Sequence, residues 1–226
     1  MINIENTEVF GWEAAIRGMR NPMNSWDKSD SYWGFPEYPD IFYVGENDLK
    51  LMKNLSKAGN DHGKYLRMIN VTMDVNAPLY WWKEADTYAV GKVQNSCSTM
   101  HKIHAKEFEL DDFSHEHLDV ENKMLLAHDS EEGLDCYVTS KSTLELLCSI
   151  LNVYRNKYIE TKDKRYWWQM IQLLPSSYNQ KRTVQLNYQV LKSMYHARKN
   201  HKLDEWREFC EWCESLPYFK ELCIDV

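Results

Sequence analysis

The alternation of apolar and polar positions is clearest at residues 69 to 75, INVTMDV. That period of two, carried by Val and Thr, predicts a strand. Ala77-Pro78 then opens a predicted helix, since proline at the first helical position gives up no needed N–H. Leu79, Trp82, Lys83 and Asp86 run down it, and a polar segment, GKVQNSCST, follows. A strand feeding a helix feeding a polar loop is a common way to aim side chains and backbone N–H groups at a ligand. It is also the pattern of an ordinary strand–helix unit with a polar surface loop.

Upstream, residues 2 to 10 read as a first strand and Gly11 to Arg20 as a weak helix. Residues 21 to 40, NPMNSWDKSDSYWGFPEYPD, read as a long loop, a length usually found at functional or mobile sites. IFYV (41 to 44) reads as a short strand or as part of that loop. A helix capped by Asn47 carries Leu49, Met52 and Leu55 on one face, with Leu51 beside them, and Gly59 ends it. Downstream, AKEFEL (105 to 110) reads as a strand. The acidic run from 111 to 135 reads as irregular, with a short helix near 119 to 127. Ser142 and Glu145 form a capping-box pattern. It starts a helix whose stripe is Leu144, Leu147, Leu151, Tyr154 and Tyr158. YWWQMIQLL (166 to 174) is a short helix stopped by Pro175. NQKRTVQL (179 to 186) has strand character, 187 to 200 is helical with Val190, Leu191, Met194 and Tyr195 inward, and a last helix covers about Leu203 to Leu216. No repeat or linker interrupts this order. It predicts one α+β domain over residues 1–226.

The chain has 226 residues, 43% of them hydrophobic, with 9 Trp, 14 Tyr and 7 Phe. That supports a sizeable core and leaves aromatic rings for a partner or a base to stack on. The net charge of −7 argues against extended nucleic acid as a partner. No run approaches a membrane span, and no secretory signal is visible in MINIENTEV, so no membrane association and a cytoplasmic setting are expected. The 6 cysteines are scattered and read as reduced thiols. Cys210-Glu-Trp-Cys213 lacks the second pair that structural zinc needs, and the pairs His101/His104 and His115/His117 include no HExxH, so no metal is expected. No GxGxxG, GxxxxGK[ST] or GxSxG occurs. Arg17 and Arg20 could grip a phosphate or carboxylate, or be solvated helix-end charges. Arg198 lies in the basic run HARKNHK at a helix end, where arginine often just meets carbonyls.

Several pieces together resemble the flavin-dependent thymidylate synthases. His62 through the strand to Ala77-Pro78 resembles that family's His-x-x-Pro-Phe-Glu-His stretch, strand and Ala-Pro helix. LPSSYNQKRTVQLNYQVLKSMYHAR resembles its Leu-Pro, strand and Asn-x-Arg-x-x-Leu helix, with Leu174-Pro175, Asn187, Leu191 and Arg198 in register. The resemblance covers about 47 to 101 and 166 to 200. It implies the family's fold, FAD bound between subunits of a homotetramer, and conversion of dUMP, a pyrimidine nucleotide, to dTMP with methylenetetrahydrofolate and NADPH. By position it implies a substrate site of Lys92, Gln94, Cys97, Ser98 and Arg198. It implies a cofactor site of His62, Lys64, Asn95, Asn187 and Gln189.

The sequence departs from the family's signature, Arg-His-Arg-x-x-Ser-x-Asn-x-x-Ser-x-Arg-Tyr. Without a gap, the Arg-His-Arg becomes Thr87-Tyr88-Ala89, the first Ser Lys92, the Asn Gln94, the second Ser Cys97 and the Arg-Tyr Thr99-Met100. One inserted residue instead aligns Asn95 and Ser98. The family's Glu becomes Arg67, and Gln189 replaces the Arg after Asn187. Neutral side chains do not substitute for the forked hydrogen bonds of arginine to phosphate, and Lys83 and Lys92 supply only point charges. Three functions follow: a divergent enzyme of this kind, a non-catalytic nucleotide-binding protein, or a phage-type interaction protein that keeps only the scaffold.

Overall fold

A computed structural model describes residues 1–34, 41–129 and 134–226. In chain order the elements are β1 (Asn3–Phe10), α1 (Trp12–Arg20), β2 (Tyr32–Trp33), β3 (Phe42–Tyr43), α2 (Glu46–Lys57), β4 (Asn70–Pro78), α3 (Leu79–Ala85), β5 (Val93–Ser96), α4 (Thr99–Lys102), β6 (Met124–Asp129), β7 (Leu134–Val138), α5 (Ser140–Thr161), α6 (Lys164–Leu173), β8 (Asn179–Asn187), α7 (Tyr188–Arg198) and α8 (Asp204–Ser215). The class is α+β. A four-stranded sheet has the order β1-β4-β8-β5, and β2-β3 and β6-β7 form two small two-stranded sheets. The chain divides into two compact units, and β4 and β8 each begin in one and end in the other. No helix among the described residues is long and apolar enough to cross a membrane.

One unit comprises Ile2–Val75, Glu84–Asn95 and Arg182–Val226. The period of two in β4 is realised: Val71, Met73 and Val75 are buried, while Asn70, Thr72 and Asp74 are less so. α7 buries Tyr188, Leu191, Met194 and Tyr195, with Val190 only partly covered. Tyr188 packs edge-on to Trp12 and Phe219. In α2 the innermost line is Asp48, Met52 and Ser56, and the leucines flank it. The apolar pattern misses this because both polar residues on the line are satisfied internally. Ser56 donates to the Leu222 carbonyl at 2.6 Å, and Asp48 pairs with buried Arg20 at 2.6 Å. The α2 cap is not Asn47. The Asp30 carboxylate accepts the Asn47 and Asp48 N–H groups from across the loop.

The other unit comprises Met1, Asn76–Lys83 and Ser96–Lys181. Its core joins Leu144, Cys148 and Leu151 of α5 to Ile103, Phe108, Phe113 and Met170, with Leu147, Tyr154 and Tyr158 against it, as the stripe predicts. Four expectations fail here. Residues 105 to 110 form no strand, because the Asn152 side chain takes both backbone groups of Phe108, at 2.8 and 2.9 Å, where a neighbouring strand would. The helix near 119 to 127 is replaced by the antiparallel β6-β7 hairpin. Asp119 takes the N–H groups of Glu121 and Asn122, turning the chain before that hairpin. The capping box lies three residues earlier than expected, between Thr139 and Ser142. Finally, β4 continues through Pro78, so α3 starts at Leu79.

Candidate functional site

Two clusters of charge arise in the first unit where α3 ends. Asp86 lies just beyond the last turn of α3. Its carboxylate accepts from Lys92 at 3.1 Å, Gln94 at 2.8 Å and Arg182 at 3.0 Å. Lys92 also donates to the Ala85 carbonyl at 2.8 Å. The side chains of Lys92 and Arg182 are 6% and 11% exposed, whereas that of Asp86 is 41% exposed. Two nearly covered cations thus converge on one open carboxylate. Burial pushes the Asp86 pKa up, and the bonds from Gln94, Lys92 and Arg182 outweigh it, leaving the group below its ordinary range.

The second cluster holds Arg198, at the end of α7. A helix-end arginine often just meets carbonyls, and here the structure gives Arg198 a carboxylate and a hydroxyl instead. Its Nη1 donates to Glu84 Oε2 at 2.7 Å, and its Nε donates to the Tyr88 hydroxyl at 3.0 Å. The guanidinium carbon lies 4.8 Å from the Trp206 ring centre. The Trp206 indole N–H also donates to Glu84 Oε2, at 3.1 Å, and His201 Nε2 lies 3.4 Å from the same oxygen. Glu84 thereby anchors the start of α8 to the end of α7.

The other predicted residues are placed as follows. Asn187 caps α7, its Oδ1 accepting the Val190 N–H at 3.1 Å. Gly91 comes so close that a Cβ there would sit 3.3 Å from Asn187 Nδ2, and its φ of 77° also favours glycine. Gln189 donates to Asn60 at 3.3 Å. His62 and Lys64 are exposed near the start of a short 3-10 turn, and Asn95 is exposed on β5. Cys97 and Ser98 fall in the other unit. There the Cys97 N–H donates to the Lys181 carbonyl and the Cys97 carbonyl accepts from Gln180, while Ser98 caps α4.

Among the described residues, no group of three or more His, Cys, Asp or Glu side chains is placed to hold a metal ion. Burial pushes the thiol of Cys210 up to about 11 and that of Cys223 up to about 12. Glu84, Asp86, Arg182, His201 and Trp206 are the residues of these clusters that motif positions do not mark. A signal existed for Arg182. Within β8 it shares a period-two line with buried Gln180, Val184 and Leu186, an unusual place for a cation without a partner.

Among the neutral groups, Gln94 is held by Asp86 and the Asn187 oxygen by the Val190 N–H, while Asn95 is exposed on β5. The cations do not present themselves to a phosphate as they stand, because Lys92 and Arg198 are each already held by a carboxylate.

No family model and no curated protein matches the sequence. Solved structures do match the fold. Thymidylate synthase X from Helicobacter pylori, crystallised with FAD and dUMP, matches with a TM-score of 0.66 at 16% identity, covering 100% of this chain and 98% of that one. A second structure described as flavin-dependent thymidylate synthase from Helicobacter pylori, also with FAD and dUMP, gives 0.65 at 14% identity. It covers 99% of this chain and 98% of that one. The UMP/dUMP methylase PolB from Streptomyces cacaoi, bound with 5-Br UMP, gives 0.59 at 13% identity over 98% of this chain and 90% of that one.

Proposed function

We propose that this chain, which has the flavin-dependent thymidylate synthase fold from end to end, binds a pyrimidine nucleotide resembling dUMP together with FAD. One observation carries the reading. The likeness spans nearly the full length of both chains, and it reaches two kinds of protein crystallised with a uridine nucleotide. Fold alone does not fix chemistry, so the reading rests next on Asp86. A phosphate enters by taking the place of the Asp86 carboxylate between Lys92 and Arg182, the two cations that lie nearly covered around it. Gln94 loses the same partner and becomes a donor to the ligand.

Asp86→Asn removes the competing charge. It is expected to tighten dUMP binding about tenfold, an energy near one charge-assisted hydrogen bond. The same variant is expected to melt lower without ligand, because Lys92 and Arg182 lose their anion. Titration calorimetry beside melting curves checks both, and unchanged or weaker dUMP binding rejects this exchange. The flavin part is tested by mixing protein with FAD and desalting. Retained yellow absorbance supports it, and a colourless protein fraction refutes it.

A second reading, nucleotide binding without turnover, is favoured by Thr87, Tyr88 and Ala89 standing where the family's Arg-His-Arg falls. It expects dUMP binding with no dTMP formed when methylenetetrahydrofolate, NADPH and FAD are all supplied.

The same reading includes a homotetramer. On α5, Leu146, Ile150 and Val153 lie at helical spacing and are 52%, 37% and 53% exposed, away from the buried stripe. An apolar line of this kind gains by being covered. Light scattering is expected to give four times the 27.0 kDa chain mass, and a monomer at micromolar concentration contradicts the assembly.

A further inference from the structure

The loop from 21 to 34 lies outside the stretches whose sequence resembles the synthases, and it builds a cleft of about 300 Å³ against α1. That volume is at the lower end of small-molecule sites, enough for one fused ring system and a small substituent. The walls include Trp26, Tyr32, Trp33 and Phe42, with Glu13 and Arg17 of α1.

The cleft has a rigid base. Asp48, fully buried, accepts from Arg20 Nε, from the Ser29 and Ser31 hydroxyls, and from the Asp30 and Ser31 N–H groups. Arg20 in turn donates to the Ser25 and Lys28 carbonyls. The loop is thus tied to α1 and α2 at both ends, and the two indoles are oriented as well. Trp26 donates to Asn21 at 2.9 Å and Trp33 to Glu13 at 3.3 Å. Trp33 also meets Phe42 edge-on at 5.1 Å. Despite these restraints, Trp26, Tyr32 and Trp33 remain 50%, 48% and 54% exposed. Rings that are fixed and still open offer faces for another ring to stack on.

Charge narrows the ligand. Glu13 and Arg17 have the i, i+4 spacing that usually forms a helix ion pair. Here Glu13 turns to Trp33, and the Arg17 guanidinium has no partner among the described residues. Arg20, the other guanidinium on the wall, is neutralised by Asp48. One free cation beside one carboxylate suits a single negative charge and disfavours a dianionic phosphate. Glu13 can also accept a ring N–H. We propose that this cleft binds a flat nitrogen heteroaromatic molecule carrying one carboxylate, with the ring among the aromatic side chains and the carboxylate on Arg17.

The probes are indole-3-acetate and its neutral isostere indole-3-acetamide. The readout is the pair of indole N–H resonances of Trp26 and Trp33, assigned by their loss in Trp26→Phe and Trp33→Phe. Both resonances are expected to shift with the acid, with a Kd about fivefold below that of the amide, the effect of one partly exposed ion pair. Arg17→Gln is expected to bring the acid to the level of the amide while leaving the melting temperature and the dUMP titration unchanged. Absence of any shift with the acid overturns the proposal. Equal affinity for acid and amide in the wild type also overturns it, leaving Arg17 a solvated surface charge.

Discussion

Asp48→Ala is expected to lower the melting temperature by about 6–20 °C. Removing one partner of a buried ion pair costs about 3–5 kcal/mol, and each kcal/mol moves a chain of this size by about 2–4 °C. The pair is deeply buried, with side-chain exposures of 4% for Arg20 and 0% for Asp48. Arg20 would be left charged and uncompensated, and the loop hydroxyls and N–H groups that converge on Asp48 would lose their acceptor together. Burial raises the Asp48 pKa, but the Ser31 and Ser29 hydrogen bonds and the Arg20 charge outweigh it, so the folded-state value is depressed. The sign of the pH effect follows. The stabilisation is fully present above the unfolded value of about 3.9 and is lost as pH falls through the lower folded value. Melting curves of wild type and variant should therefore lie far apart at neutral pH and converge in acid. A constant gap down to acid pH would show that Asp48 acts through packing alone.

Arg198→Ala is expected to destabilise the protein by about 1.5–3 kcal/mol, from a charge-assisted hydrogen bond and the stacking on Trp206. The Glu84 carboxylate is 34% exposed, so solvent recovers part of the loss. Arg198→Lys should restore only part of the stability, because a point charge cannot serve Glu84, Tyr88 and the Trp206 face at once. Position in the motif gives the opposite expectation, a large effect on nucleotide binding and little on melting. Melting curves and a dUMP titration of both variants separate the two roles. A melting temperature equal to wild type would mean that the Glu84 pairing contributes nothing to the fold.

Much of the fold was legible because its signals are local. β4 shows its period of two, α5 shows its leucine and tyrosine stripe, and Pro175 and Gly59 mark helix ends. The failures share a cause: backbone groups satisfied from a distance. Asn152 takes the pairing of Phe108, Asp30 caps α2, and Asp119 turns the chain ahead of the β6-β7 hairpin. None of these leaves a periodic trace. The charge pairs of the candidate clusters were not legible. Arg198 and Lys92 stand out in the sequence as cations, whereas the carboxylates of Glu84 and Asp86 that hold them belong to no motif. Residues 35 to 40 of the predicted loop and residues 130 to 133 of the acidic run lie outside the described residues.

The central claim, a pyrimidine nucleotide bound with FAD on this fold, is tested most directly by calorimetric titration of the FAD-treated wild-type protein with dUMP. The account predicts saturable binding at one dUMP per chain, weaker when FAD is left out. The absence of binding heat with FAD present, at concentrations where the protein stays folded, would contradict it and leave the scaffold to serve a different partner.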